Sequence, residues 1–358
     1  MQQEALRPFA CSYSPNVPEL LNSLGCTLAL STYQAGKLIF LSAADQEKII
    51  QLPRTFNKPM GIAVHPEKEK IALACKSDVH VFQNSKELAW HYPKSPGKYD
   101  SLYLPRMSYK TSYLDLHDLA FGKDNLYAVN TLFSCISTLS DEYNFTPYWK
   151  PKFITEIASE DRCHLNGMAL ENGKPKYVSC FNQGNTAQSW RQNITETGVI
   201  IDVDTDELVA EGLAMPHTPK LINGTLYVLM SATGELVKIN TETGEKETIL
   251  KLDSFVRGMD VCGEFLFIGL SKLRKNSKTF AHLMNNFSRN RAGVAIVHLP
   301  SGAFVGEIQY HTSVEEIYEV KVIPNTVRPN ILNPESEDCN RAVSIPSTTF
   351  WASSNENN

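Results

Sequence analysis

The sequence predicts an all-β protein, a six-bladed β-propeller, and three observations carry that prediction. Strand-like segments dominate after residue 25, with turn signals at short intervals between them. Residues 215–252 read as four antiparallel strands within about 40 residues, the period of one propeller blade. Strand remainders at the two ends of the chain also fit together as one further blade, which would close the ring and leave only short, protected edges.

Bulk properties narrow the classes. The chain has 358 residues, 42% hydrophobic and 20% charged, ordinary for a protein that buries a real core. A net charge of -5 gives no polyanion footprint, so no nucleic-acid partner is expected. No apolar run reaches the roughly 18 residues of a membrane span. The start, Met1 to Pro8, lacks the basic-then-apolar pattern of a signal peptide, so a cytoplasmic location is expected. Eight cysteines include no C-x-x-C pair, and all are expected to be unbridged.

Taken in order, residues 1–25 form an N-terminal extension with one helix expected over Val17–Leu24, stopped by Gly25. Thr27–Thr32, Gly36–Leu41 and Glu47–Leu52 are three strands of a first blade that lacks its innermost member. A second blade follows as Met60–Val64, Lys70–Cys75, Asp78–Phe82 and Leu88–Tyr92. The third is His117–Phe121, Asn125–Asn130, Cys135–Leu139 and a weaker fourth strand. The fourth is Asn166–Leu170, Lys176–Cys180, Gly198–Val203 and Glu207–Ala210. In the fifth, Thr218–Ile222 turns through Asn223-Gly224, a strong hairpin signal, into Thr225–Ser231, then Gly234–Asn240 and Lys246–Leu252. The sixth is Arg257–Val261, Phe265–Gly269, Gly293–Val297 and Ala303–Ile308. The lone strand Glu316–Ile323 then supplies the missing innermost strand, so the propeller spans 26–324. Residues 325–358 read as a C-terminal strap and disordered tail.

In a blade, the start of the innermost strand and the loop between strands two and three open on one face. On that mouth face the loops are long: Tyr92–Leu114, Asn182–Thr197 and Ser271–Ala292. Long loops in a compact repeat point to function, so a site over the central channel is expected.

The strand starts carry unusual chemistry. His117, His164 and His217 stand at three of the six, Arg257 at a fourth, and the closing blade brings Glu315, Glu316 and Glu319. Imidazoles converging on one axis could hold a divalent metal ion, with ligands His117, His164, His217 and Glu316. They could equally be catalytic acid–base groups, since histidine titrates near neutrality. The plainer alternative is that each satisfies backbone groups at a strand start. Asn130, Ser179, Asn182, Ser231, Thr233 and Ser271 end second strands on the same rim. Trp190 and Arg191 could stack on and clamp a substrate. Lys272, Arg274, Lys275, Lys278, Arg289 and Arg291 occupy one loop without an acidic residue, which suggests an anionic ligand.

The strings Leu30–Leu38 (LSTYQAGKL), Asn130–Cys135, Asp161–Gly167 (DRCHLNG) and Met215–Pro219 resemble a bacterial conserved-hypothetical family over about residues 20–330. That resemblance carries no catalytic assignment. The blade pattern is similar to the six-bladed propellers of the strictosidine-synthase, gluconolactonase and NHL-repeat groups, several of which keep a metal or an acid–base residue in the channel. Two functions are expected on these grounds. One is a hydrolase- or lyase-type enzyme acting on a small anionic molecule or a peptide terminus. Its catalytic residues would be His164, His217 and His117, and its substrate would be held by Asn130, Asn166, Trp190, Arg191, Ser231, Arg257 and Arg274. The other is a non-catalytic propeller that binds a protein or peptide.

Overall fold

Six sheets, each with four antiparallel blade strands, stand where the six units were expected. The computed structural model describes residues 7–65, 67–273 and 279–353. The innermost strands are Glu319–Pro324, Ile62–His65, Leu116–Phe121, Leu165–Glu171, Pro216–Ile222 and Phe255–Cys262. They touch one another in an unbroken cycle around a central channel, making a six-bladed β-propeller.

The core lies between blades rather than within them. Leu229 and Leu236 of the fifth blade pack on Val256, Met259, Leu266 and Ile268 of the sixth, all essentially buried. Because both faces of a blade are covered, a strand inside it is buried on both sides: Cys26–Thr32 is buried at every position, its Thr27, Ser31 and Thr32 hydroxyls included. At about 1.5–3 kcal/mol per fully buried aliphatic side chain, these layers are the dominant stabilising term. The ring closes where Cys26 pairs with Pro324 and Ser31 with Glu319, joining the two ends of the chain in the first blade.

The N-terminal helix runs Val17–Leu24 and is ended by Gly25 at φ 58°, whose N–H donates to the Asn22 carbonyl. Ahead of it, Cys11–Tyr13 adds a fifth strand to the sixth blade, pairing with Ala303–Tyr310. Its three residues give too short an alternation to be read from sequence.

The second blade departs from expectation. Residues 88–92 are not its fourth strand, because Lys86–Trp90 is a short helix. The Ser85 hydroxyl accepts from the Leu88 N–H, a cap of about 1 kcal/mol. The fourth strand is Ser101–Lys110, antiparallel to Asp78–Asn84. So 92–114 is not a long mouth-face loop: the insertion at 85–100 joins strands three and four, on the opposite face.

That insertion explains the C-terminus. Of the strap and disordered tail expected at 325–358, residues 325–353 are strap throughout. Pro329–Ile331 pairs in parallel with Ser101–Tyr103, and Ala342–Ile345 and Thr348–Trp351 form a hairpin. Leu332 and Ala342 are buried against Leu88, Ala89, Tyr92 and Tyr99, with Trp351 packed on them. Residues 354–358 lie outside the described residues.

Candidate functional site

On the mouth face a cavity of about 570 Å³ opens over the channel, within the usual size of small-molecule sites. His117, His164, His217 and Arg257 all line it. The backbone that delivers them is strained: Asp115, Asp161, His164, Met215 and Thr218 all have φ between 47° and 61°. Non-glycine residues cost about 1–3 kcal/mol each in such conformations, and persist where surrounding bonds over-determine them. Around Asp161 those bonds are explicit. Its N–H donates to the Leu132 carbonyl at 2.8 Å, and the next N–H, of Arg162, to the Ser134 hydroxyl. The Arg162 guanidinium, 7% exposed, is clamped by Glu156 and Glu160, each at 2.8 Å.

The three imidazoles are held by the same nitrogen. His164 Nδ1–H donates to the Asp161 carboxylate at 3.0 Å. His117 Nδ1–H donates to the Asp115 carbonyl at 2.9 Å. His217 Nδ1 lies 3.1 Å from the Met215 carbonyl and 2.7 Å from the Ser231 hydroxyl, which itself donates to the Val256 carbonyl. A carbonyl can only accept, so Nδ1 carries the proton and Nε2 is the nitrogen with a free lone pair.

Their electrostatics differ. Burial pulls His117 down to about 4 against the attraction of Asp115, with His164 and Arg257 adding to the fall. Burial and then the Arg257 charge hold His217 well below the ordinary histidine value. Both are neutral at pH 7. His164 is backed by a full carboxylate, which also accepts from Trp190 Nε1 at 2.8 Å.

Arg257 brings positive charge to the cavity floor. Its guanidinium lies 3.5 Å from the Tyr318 ring centroid and 3.6 Å from the Glu316 carboxylate. At the rim Arg191 stacks on Trp190 at 4.3 Å and donates to Thr279, with Lys272 and Ser271 nearby.

Several expected residues are placed elsewhere. Among the described residues no group of three or more His, Cys, Asp or Glu side chains is arranged to hold a metal ion. The proposed ligand set His117, His164, His217 and Glu316 therefore does not assemble. The Phe181 ring packs 4.5 Å from the His164 ring and 5.1 Å from the His217 ring, and Arg257 brings a cation to the same cavity. Asn130 is fully buried and its Oδ1 accepts from the Phe133 N–H, shaping a turn rather than a rim. Ser231 is fully buried behind His217. Trp190 is 2% exposed, with its indole N–H committed to Asp161, so it shapes the wall instead of clamping a ligand. Asn166 faces a second, smaller chamber below. Arg274, Lys275 and Lys278 lie outside the described residues. Arg289 and Arg291 are not uncompensated, since both pair with Glu307 from the outer strand.

Sequence reading overlooked Asp161 and Tyr318. Asp161 stands three residues before His164, a spacing that lets a carboxylate reach an imidazole once the intervening turn is tight. Tyr318 stands one residue before Glu319, as His117 does before Asp118 and Arg257 before Gly258, a register visible only when the blades are superposed.

The fold and the mouth-face cavity define a six-bladed propeller with a polar, aromatic-walled pocket on its axis. The chain belongs to the family described as Domain of unknown function (DUF4915), whose model matches residues 15–332. No curated protein matches it in sequence. Among solved structures it is similar to a chain of a nidogen/laminin complex, with 10% identity and a TM-score of 0.51 over 84% of this chain and 99% of that one. It also matches a catalytically inactive virginiamycin B lyase from Staphylococcus aureus with quinupristin, with 11% identity and a TM-score of 0.40 over 79% of each chain. Likeness at this identity is likeness of fold. No helix among the described residues is long and apolar enough to cross a membrane.

Proposed function

We propose that the mouth-face cavity is an active site for proton-transfer chemistry, of hydrolase or lyase type, on a small anionic molecule or a peptide terminus. The observation that carries this reading is the Asp161–His164 pair, bonded at 3.0 Å with its free Nε2 on a cavity that also holds Arg257. A carboxylate on Nδ1 fixes the tautomer and stabilises the imidazolium that forms when Nε2 takes a proton. His164 is thus the general base or acid. Arg257 receives the ligand's anionic group, for which Glu316 acts as the placeholder counter-ion. His117 and His217, kept neutral, accept hydrogen bonds from ligand donors through Nε2.

The test is a screen of small carboxylates, phosphates and short peptides by thermal shift and turnover, on wild type, Arg257→Gln and His164→Asn. A ligand is expected to raise the wild-type Tm, lose that effect in R257Q, and bind without turnover in H164N. A ligand that binds wild type without ever being converted would sink the catalytic reading in favour of a propeller that presents this face to a peptide or protein.

A further inference from the structure

Below the imidazoles the channel narrows to a chamber of about 10 Å³, lined by His117, Asp118, Asn166, His217, Tyr318 and Glu319 among others. The narrowing is built in pairs. Going round the ring, Gly61, Gly167 and Gly258 alternate with Asp118, Thr218 and Glu319. A Cβ on Gly258 would stand 2.7 Å from the Glu319 Cα, and one on Gly61 2.9 Å from the Asp118 backbone, so adjacent strands meet there without side chains between them. Three polar side chains remain in the throat. Asp118 Oδ2 accepts from the Met168 N–H at 3.1 Å and Thr218 Oγ1 from the Gly258 N–H at 3.2 Å, each across to the next blade. Glu319 breaks the pattern: its Oε1 accepts from its own neighbour, Val320, at 2.9 Å.

Three polar atoms of the chamber's walls make no hydrogen bond among the described residues: Asp118 Oδ1, Asn166 Nδ2 and the Tyr318 hydroxyl. Asp118, Asn166 and Tyr318 are each only 5% exposed, and buried polar atoms are almost always satisfied. One acceptor and two donors around about 10 Å³ match one water molecule, which needs roughly that volume and two to four partners. Beside them, the Asp118 and Glu319 carboxyls share a single lysine, Lys321, at 3.8 and 3.7 Å. Two further cations are near them: Lys220, paired with Asp260 at 2.5 Å, and Arg257, which lines the chamber and lies 3.6 Å from Glu316. Three carboxyls, the buried Asp118 and Glu319 and the half-buried Asp260, thus surround two lysines, Lys321 and Lys220, which favours keeping one proton among them.

We propose that this chamber binds one water molecule and that the Asp118–Glu319 carboxyl pair beside it stores one proton. Both parts stand on the chamber's own geometry and not on the reading above. His117 and His217 line both the pocket and the chamber, and His117 meets His164 edge-on at 4.9 Å. Burial, opposed by Lys321 and reinforced by Asp118, raises the Glu319 carboxyl to about 7, which suits a store that fills and empties near neutrality.

The decisive experiment is infrared titration of the ligand-free full chain, wild type against Glu319→Gln and Asp118→Asn, with a high-resolution crystal structure of the wild type. A carboxylic-acid band should bleach as pH rises through about 7, be absent in E319Q, and bleach at lower pH in D118N, where the like charge is gone. The crystal should hold one water within about 3 Å of Asp118 Oδ1, Asn166 Nδ2 and the Tyr318 oxygen. A band unaltered by E319Q, or a dry chamber, overturns the proposal whatever the protein's activity is.

Discussion

The starts of the third and fourth blades put the same side chain into the same cavity and give it different chemistry. His117 and His164 meet edge to face, 4.9 Å apart and 87° between planes. His164 leans on a carboxylate at 3.0 Å, whereas His117 leans on a peptide carbonyl at 2.9 Å, with the carboxylate of that residue 3.8 Å away. A carboxylate stabilises the imidazolium; a carbonyl fixes the ring's orientation and leaves burial to keep it neutral. Under the proposed function, the partner on Nδ1, not the residue type, divides the proton carrier from the hydrogen-bond acceptor.

The heaviest blow to that contrast is Asp161→Ala. It strips the acceptor from both His164 Nδ1 and the buried Trp190 Nε1. Urea unfolding should show a loss of about 2–3 kcal/mol, and turnover should vanish with it. Next comes the pair His164→Asn and His117→Asn, each assayed on the ligand found by screening. The first should cost turnover about 10²–10⁴-fold, as for a lost general acid–base group. The second should cost about tenfold, and equal losses would erase the distinction between the two blades.

A smaller effect is the pH dependence. His117 falls from an ordinary 6.5 to about 4 on folding, so between those values the unfolded chain binds a proton the native one refuses. Its contribution to stability is therefore present above 6.5 and lost as pH falls toward 4. Glu319 slopes the other way, its share being lost as pH rises from 4.5 through about 7. Denaturation curves of His117→Gln in an E319Q background isolate the first slope, which should flatten. NMR titration of the His117 ring near 6.5 would contradict its burial-driven neutrality. The least effect is expected from Asp115→Asn, because the bond to His117 comes from the backbone and Asn tolerates the φ of 56°. Stability should stay within about 0.5 kcal/mol, in contrast to any change at Asp161.

Much of the ring was legible because blade strands obey local rules. Asn223-Gly224 turns where a two-residue hairpin should, with Ile222 opposite Thr225. The helix stop at Gly25 is equally local. The reading failed where a local signal was overruled or too short. Leu88–Tyr92 has strand-like residues, but the Ser85 cap and burial of Leu88 and Ala89 on one side make a helix. The C-terminal residues look polar enough for disorder, but Leu332 and Trp351 find a partner surface in that same insertion. For the site, the three histidines and Arg257 could be singled out from their strand starts. Asn130 and Ser231 could not be told from rim residues, because burial behind a neighbouring side chain leaves no mark on spacing.

The sequence by itself determined the number of blades, the way the chain ends close the ring, and which strand starts carry titratable groups. These follow from periodicity, turn chemistry and composition, which are properties of short segments. Only the tertiary structure decided what each group does. Whether an imidazole meets a carboxylate or a carbonyl, whether Phe181 packs on two histidines, and whether Asp118 and Glu319 share one lysine are set by the tertiary packing. That packing joins residues far apart in sequence, and electrostatics acts across space rather than along the chain.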